Sequence, residues 1–481
     1  MNNNRVSRRD FVQGGLAAAT ALTVLPAGPL LAKEKAPTRP NILLIFSDQQ
    51  HWRAAGFEDS FFDTPHLDAL AKESGVFENS FCTTPQCSPS RSSLLTGMYP
   101  SKTGVMGNIR AAGGKPLMQE TIAPRLQKLG YRTAYFGKWH LGSRTVATAG
   151  WDQSSFESND SVTQSQATTF LKESGFLKES GVSAKPFAMF VSCLNPHDIY
   201  RFSRHKFDPA GRRIPLPPSW QRETFANKPS VHKQFMLEDQ GKAIWRKDRG
   251  HWERYRDCYR KVTRLYDNNL GAVLDELKRQ GQWDNTVVIV TSDHGDMDTN
   301  HKLIYKGPFM YEHMVRVPLV IRVPKRFGGG EARRIRDVDA VNVDIAPTIL
   351  DLCGASLPDC DGMSLRPTLT GSEGQKTRGF VIGQYYSKQR WVNPIRMIRT
   401  HEFKLNKYIR HGEEFYDLKN DPHELVNLAA DLKYAKTKTR LSGELDRWIK
   451  ENSDPFYSLA TTTRSGKPVA TLDATGSIVG Y

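Results

Sequence analysis

Two stretches of the chain are apolar at nearly every position instead of at alternate ones: Asn41-Ile-Leu-Leu-Ile-Phe46 and Thr286-Val-Val-Ile-Val-Thr291. A strand with one face in water alternates apolar and polar residues. A continuous run therefore belongs to a strand covered on both faces, as in parallel sheets. Parallel neighbours need crossovers of a dozen residues or more, normally helical. The clearest helix lies before the second run: Tyr259, Val262, Tyr266, Leu270, Val273, Leu274 and Leu277 recur at helical spacing between Glu253 and Arg279, and Gly281 stops it. Gly130 to Phe136, Pro186 to Ser192 and Pro318 to Val323 read as further strands. Pro65 to Ser74, opened by Thr64 as N-cap, and Val343 to Leu352 read as further helices. The alternation predicts an α/β fold with a mainly parallel or mixed central sheet flanked by helices. The Ser/Thr-rich residues 144 to 180 and the Pro- and Arg-rich residues 201 to 231 read as surface excursions.

From about residue 375 the texture changes. Short β-like pieces appear at Phe380 to Tyr385, Arg396 to Thr400 and Phe403 to Ile409, followed by a helix from about Lys433 to Glu451. This predicts a small antiparallel sheet with a covering helix. The expected divisions are a leader at 1–33, a catalytic domain at 39–374, a C-terminal subdomain at 375–455 and an irregular tail at 456–481. In the leader, Ser7-Arg8-Arg9-Asp10-Phe11-Val12 precedes a weakly apolar stretch from Gly14 to Leu25 and small residues near Ala32. That order resembles a twin-arginine export signal, which implies the twin-arginine machinery as partner and a periplasmic or secreted protein. No apolar run is long enough for a stable membrane span.

The formal net charge is +16. Such a balance suits a polyanion, but no nucleic-acid motif accompanies it. With export expected, nucleic acid is disfavoured, and an anionic membrane surface or a sulfated glycan stays open. Six cysteines, Cys82, Cys87, Cys193, Cys258, Cys353 and Cys360, are too few and too irregular for a disulfide framework or zinc site. A Cys353–Cys360 pair stays open.

Ligands of α/β sheets bind beyond the carboxyl ends of the strands. Both apolar runs end there in an acidic residue: Asp48-Gln49 and Asp293-His294. Two carboxylates with an amide and an imidazole make a candidate site for a hard cation such as Ca²⁺. The most specific signal is Cys87-Ser88-Pro89-Ser90-Arg91, followed by Ser92 to Gly97, which reads as a helix start. C-x-P-x-R followed by T-G resembles the formylglycine signature of the type I sulfatases, a branch of the alkaline phosphatase superfamily. The rest agrees in order between about residues 39 and 450. Asp48-Gln49 and Asp293-His294 match the family's metal pairs. Gly137-Lys138-Trp139-His140 matches its G-K-W-H element. Asn195-Pro196-His197-Asp198 falls where a catalytic His is expected, and Lys306 matches a late sulfate-binding lysine. Glu413 to Leu418 and Asp421 to Glu424 resemble its C-terminal signature. Many members carry two adjacent acids where this chain has Asp48-Gln49, so its metal site has lower ligand charge.

The resemblance implies an alkaline phosphatase-like fold and a sulfuric ester hydrolase acting on a sulfated oligo- or polysaccharide. It implies one Ca²⁺ held by Asp48, Gln49, Asp293, His294 and residue 87, and a maturation enzyme that converts Cys87 to formylglycine. In the implied reaction, Arg91 and Lys138 orient the aldehyde hydrate, whose hydroxyl attacks sulfur. Lys138, His197 and Lys306 bind the substrate. His197, helped by Lys306, protonates the departing alcohol, and His140 takes the proton when sulfate is expelled. The same plan serves phosphonate monoester and phosphodiester hydrolases and sulfatases of aryl or choline esters, so these stay as alternatives, as does a glycan-binding protein without activity. Arg110, Arg201, Arg204 and His205 are candidates for contacts beyond the sulfated sugar.

Overall fold

The structure is a computed structural model and describes residues 39–142, 144–179, 185–206, 213–374, 376–467, 471–472 and 478–479. The export-signal expectation for residues 1–33 lies outside them. The described residues form one compact unit.

The strands in chain order are β1 Asn41–Asp48, β2 Gly75–Phe77, β3 Ser80–Phe81, β4 Arg132–Gly137, β5 Gln153–Ser155, β6 Phe187–Pro196, β7 Thr286–Ser292, β8 Leu319–Arg322, β9 Arg333–Ile335 and β10 Ala340–Val341. Eight of them make one sheet in the order β5-β4-β6-β1-β7-β8-β2-β9. β5, β4, β6, β1 and β7 run parallel. β8 is antiparallel to both β7 and β2, so the sheet is mixed. The continuous apolar runs are its centre: every residue of β1 and β7 is buried. Ile42, Leu44 and Ile289 pack on one face and Leu43, Ile45 and Val290 on the other. The period-two geometry of a strand sends neighbours to opposite faces, so both cores draw on the same run.

The long helix spans Arg249–Arg279, opened by Asp248, whose side chain accepts from the His251 N–H. It packs against β6 and against a helix over Asp160–Glu179. That second helix corrects the reading of 144–180 as a surface excursion. Thr163, Ala167, Phe170 and Leu171 form a buried stripe on the sheet, and the Asp160 carboxylate accepts from the N–H groups of Leu194 and Asn195 at the end of β6. Its polar composition hid an amphipathic helix whose stability comes from docking rather than propensity. The described part of 201–231 is likewise more ordered than a surface excursion: helices cover Pro218–Arg222 and, from Ser230, the stretch to Glu238, with Ile214, Leu216 and Val231 buried. Among the described residues no helix is long and apolar enough to cross a membrane.

A separate antiparallel sheet follows, β11 Val381–Lys388, β12 Trp391–Arg399, β13 Phe403–Tyr408 and β14 Glu413–Asp417, in that order. The helix Ala435–Glu451 covers it through Leu441, Leu445 and Ile449. β14 coincides with the Glu413–Leu418 motif, so the motif lies on a strand. Buried ion pairs join this sheet to the loop after β7: Lys404 Nζ lies 2.7 Å from Glu312 and 2.6 Å from Glu424, and the Glu312 N–H donates to Glu424. Cys353 and Cys360 are free thiols, so the open pairing is not made. Cys353 is buried, and the Cys360 Sγ faces the backbone carbonyls of Leu357 and Gly362.

Candidate active site

Parallel register brings four strand ends to one level. Ser47 of β1 pairs with Ser292 of β7, Asp48 with Pro196 of β6, and Gly137 of β4 with Ser192 of β6. Asp48, Asp293, His197 and Lys138 therefore emerge side by side, although up to 245 positions separate them in sequence.

Cys87 is the first residue of a helix over Cys87–Thr96, ending at Gly97 with φ 75°. The helix thus begins five residues earlier than the sequence suggested, at the cysteine itself. Pro89 sits in the first turn, where a missing N–H costs nothing, and the helix dipole favours negative charge there. All ten of its residues are buried. The Cys87 Sγ lies 2.8 Å from Lys306 Nζ, 3.3 Å from His294 Nε2, 3.6 Å from Asp48 Oδ1 and 3.8 Å from Lys138 Nζ. Burial and Asp48 push the thiol pKa up, but Lys138, Lys306 and His294 outweigh them and hold it well below the ordinary thiol range. The position is built to carry an anion.

Arg91, wholly buried, lies one turn further along the helix. Its Nε donates to Asp293 Oδ2 at 2.8 Å and one Nη to Asp48 Oδ2 at 2.9 Å. The other Nη donates to the Lys138 carbonyl and to Ser192 Oγ. The guanidinium therefore grips one oxygen of each carboxylate. The two remaining Oδ1 atoms lie 3.8 and 3.6 Å from His294 Nε2. The donor atoms of Asp48, Cys87, Asp293 and His294 all fall within 4.8 Å of one another. Gln49 has φ 77°, held by its N–H on Asp293 Oδ1 and its carbonyl under the Tyr259 hydroxyl. Its Nε2 is fixed on Asp296 at 2.7 Å, which leaves its buried Oε1 with no hydrogen-bond partner.

An orphaned buried amide oxygen on the residue after Asp48, together with the clustered carboxylates, fits a hard cation. The electrostatics agree. Burial, then repulsion from Asp48, pushes Asp293 up to about 6. Asp48 stays well below the carboxylate range because Lys138, His197, Lys306 and Arg91 overcome its burial. Two carboxylates this close need more positive charge to be ionised together. His294 Nδ1 lies 2.9 Å from the Gly295 carbonyl, an arrangement that puts the proton on Nδ1 and leaves the Nε2 lone pair for the centre.

Lys138 Nζ sits 2.6 Å from Asp48 Oδ2. His140, at φ 57°, and His197 line the cavity above Cys87, and His140 Nδ1 is buried without a partner. The cavity has a volume of about 610 Å³. Of the loop residues singled out from sequence, Arg110 lines it; Arg201 instead pairs with Asp198 and His205 with Asp257, and neither they nor Arg204 reach the lining. Sequence reasoning missed Ser192 and Asp296, which brace Arg91 and Gln49, and the lining residues Tyr200, Lys388, Arg390 and Arg464. Only Asp296, two residues beyond His294, had a nearby signal.

A buried cysteine at a helix start, faced by two ammonium groups and backed by paired carboxylates, suits the hydrolysis of anionic esters. The Sulfatase family model matches residues 40–355, and the model for the C-terminal part of N-sulphoglucosamine sulphohydrolase matches residues 300–451. The chain belongs to the sulfatase family and is a sulfuric ester hydrolase. The family implies a formylglycine and a metal ion at the centre just described. Among its relatives is the Delta 4,5-hexuronate-2-O-sulfatase of Bacteroides thetaiotaomicron, 28% identical, covering 89% of this chain and 92% of that protein. The N-acetylglucosamine-6-O-sulfatase of the same organism is 28% identical, with 86% and 87% covered. A solved structure of a 2-O GAG sulfatase has a TM-score of 0.77 at 25% identity, covering 88% of this chain and 95% of that one.

Proposed function

We propose that this sulfatase removes sulfate esters from a sulfated carbohydrate, using a formylglycine made from Cys87 and a bound calcium ion, after export to the periplasm or beyond. The observation that carries the chemistry is the Cys87 side chain between the Lys306 and Lys138 ammonium groups, with ligand atoms of Asp48, Asp293 and His294 gathered around it. The carbohydrate is supported by relatives named for hexuronate and glucosamine sulfates. Export rests on the Arg8-Arg9 leader alone.

Cys87 Sγ stands where the oxygen of a formylglycine hydrate would lie. The modified residue supplies a hydroxyl nucleophile with a second hydroxyl on the same carbon; the metal, held by Asp48, Gln49, Asp293 and His294, supplies Lewis acidity and charge. The protein does the rest. Arg91 fixes both carboxylates, so the centre is preorganised. Lys306 and Lys138 are buried, and Cys87, Asp48 and Asp293 raise Lys306 above its ordinary range despite burial, so it stays charged to face sulfate oxygens. Loss of hydration, then Lys138, pushes His197 down to about 3, so its imidazole is neutral in the free site. A bound ester's negative charge opposes that shift and lets His197 carry a proton to the leaving alcohol. His140, with its unpartnered Nδ1, is placed to accept the proton released when sulfate leaves.

The test is sulfate release by protein co-expressed with a formylglycine-generating enzyme, with elemental analysis of the bound metal and mass spectrometry of the peptide holding residue 87. A panel of sulfated oligosaccharides, an aryl sulfate, choline sulfate and an aryl phosphonate decides the substrate class. Preference for the phosphonate, or for choline or aryl sulfate with no glycan turned over, defeats the carbohydrate reading. For export, replacing Arg8 and Arg9 by Lys is expected to leave precursor in the cytoplasm; unchanged periplasmic protein defeats it.

A further inference from the structure

The pocket carries more positive charge than one sulfate ester requires. Five of its fifteen lining residues are Lys or Arg and none is Asp or Glu, in a chain with 51 acidic residues against 67 basic ones. A sulfate monoester brings a single negative charge, and Lys306 and Lys138 already meet it at the floor. Four further cations line the pocket: Arg110, Lys388, Arg390 and Arg464. Lys388 and Arg464 share one buried carboxylate, Asp239, at 3.4 and 3.0 Å. Arg110 and Arg390 are exposed and pair with no carboxylate among the described residues.

These side chains come from segments built to hold position. The Arg110 loop is tied to the nucleophile helix: the Ser88 N–H donates to Asn108 Oδ1 at 3.0 Å, and the Ile109 N–H donates to Ser88 Oγ at 3.1 Å. The same loop is tied to the β11–β12 hairpin that carries Arg390. The Ala112 N–H donates to the Gln389 carbonyl at 2.7 Å, and Ser387 Oγ donates to the Ala112 carbonyl at 2.6 Å. Gly113, at φ 71°, lies so close to Tyr386 that a Cβ would meet its ring at 2.5 Å. Thr462 then laces the tail to the hairpin through Val392 and the Arg390 carbonyl, which delivers Arg464. The two unpaired guanidinium forks of Arg110 and Arg390, on segments tied to the Cys87 helix, match a planar or tetrahedral oxyanion. Its cavity of about 610 Å³ is of the size that takes a whole small ligand rather than one sulfate group.

We propose that Arg110 and Arg390, with Arg464 beside them, form a second anion subsite at the mouth of the pocket. The preferred substrate is then a saccharide that bears a carboxylate or another sulfate besides the ester cleaved at residue 87. This rests on the carbohydrate reading above.

The test uses the mature enzyme and three disaccharides of one skeleton: a monosulfate without other charge, the same monosulfate with a hexuronate carboxylate, and a disulfate. The expected result is kcat/KM at least about tenfold higher for one or both dianionic substrates, and which of the two gains tells carboxylate from sulfate. That ratio is expected to fall to near one in the Arg110→Gln, Arg390→Gln double variant, with each single variant between, and to stay unchanged in Arg204→Ala, which lies outside the cavity. Calorimetry on the unconverted Cys87→Ser protein gives a second readout: the dianionic disaccharide is expected to bind more tightly than the neutral-skeleton monosulfate, and to lose that advantage when both arginines are replaced. A native ratio near one, or a double variant that keeps the native ratio, overturns the subsite while leaving the carbohydrate reading intact. Turnover of aryl sulfate with no saccharide cleaved overturns both.

Discussion

The floor and the mouth of this pocket are built on opposite principles. At the floor, Asp48, Lys138, His197 and Asp293 follow directly from the ends of neighbouring strands, and Cys87 and Arg91 sit on a buried helix. Backbone register sets their spacing, and Arg91 locks both carboxylates. At the mouth, Arg110, Arg390 and Arg464 come from a loop, a hairpin turn and a tail held by a few side-chain hydrogen bonds. A rigid, solvent-free floor suits chemistry that recurs across a family. A mouth assembled from loops on that scaffold can change its preference without disturbing the reaction.

The largest effect belongs to the floor. Cys87→Ala is expected to lower sulfate release by about 10⁴-fold or more, since loss of a nucleophile leaves only the surrounding binding contacts. Its unfolding midpoint is expected to stay near the native one. Full activity in that variant would place the chemistry elsewhere.

Arg91→Met separates support from contact. It strands two buried carboxylates, which costs about 3–5 kcal/mol when one partner of a buried pair is removed. Denaturant unfolding in chelator is expected to show that loss, and added divalent cation to restore part of it, because a metal binds only the folded carboxylates. An unchanged midpoint would mean that the floor does not depend on the guanidinium.

A third comparison uses pH. Away from the pocket lining, His301 is buried against Tyr311 and hydrogen-bonded to Glu223 at 2.8 Å. Burial pushes it down to about 4, with the Glu223 hydrogen bond opposing. The unfolded chain takes up this proton near pH 6.5, the folded one only near 4. The unfolded state therefore binds more protons between those values, so stability rises with pH across the window. His301's contribution is complete above about pH 6.5 and is lost as pH falls toward 4. Unfolding free energies measured through this window should show a shallower slope in His301→Gln; an identical slope would reject the assignment.

The smallest effect is expected at the mouth. Gly113→Ala puts a side chain at φ 71° against Tyr386 and should cost about 1–2 kcal/mol. The preference for a dianionic saccharide should weaken more than the rate on a simple ester. Equal losses on both substrates would mean that floor and mouth are one mechanical unit.

The two regions also differed in legibility. Asp48, Asp293 and Lys138 could be found because each follows an apolar run and lies inside a short motif, so local pattern and chemistry coincide. Arg390 sits in an ordinary hairpin turn and Arg464 in a stretch read as irregular, and neither carries a local signal. The helix Asp160–Glu179 was missed for a related reason: its apolar stripe is thin, and it is helical because the sheet offers a face to cover it. Gln49 was named as a ligand, but its Asp296 anchor was not, since an amide's orientation depends on what stands behind it.

The sequence by itself determined the parallel core, the strand-end carboxylates and the Cys87 motif. Burial on both faces demands continuous apolar runs, and parallel strands place their ends on a common edge whatever the intervening chain does. Only the tertiary structure decided that Arg91 grips Asp48 and Asp293, that Cys87 opens its helix, and that loop, hairpin and tail bring three arginines to one mouth. Those outcomes depend on contacts between residues up to several hundred positions apart, whose energies no local periodicity encodes.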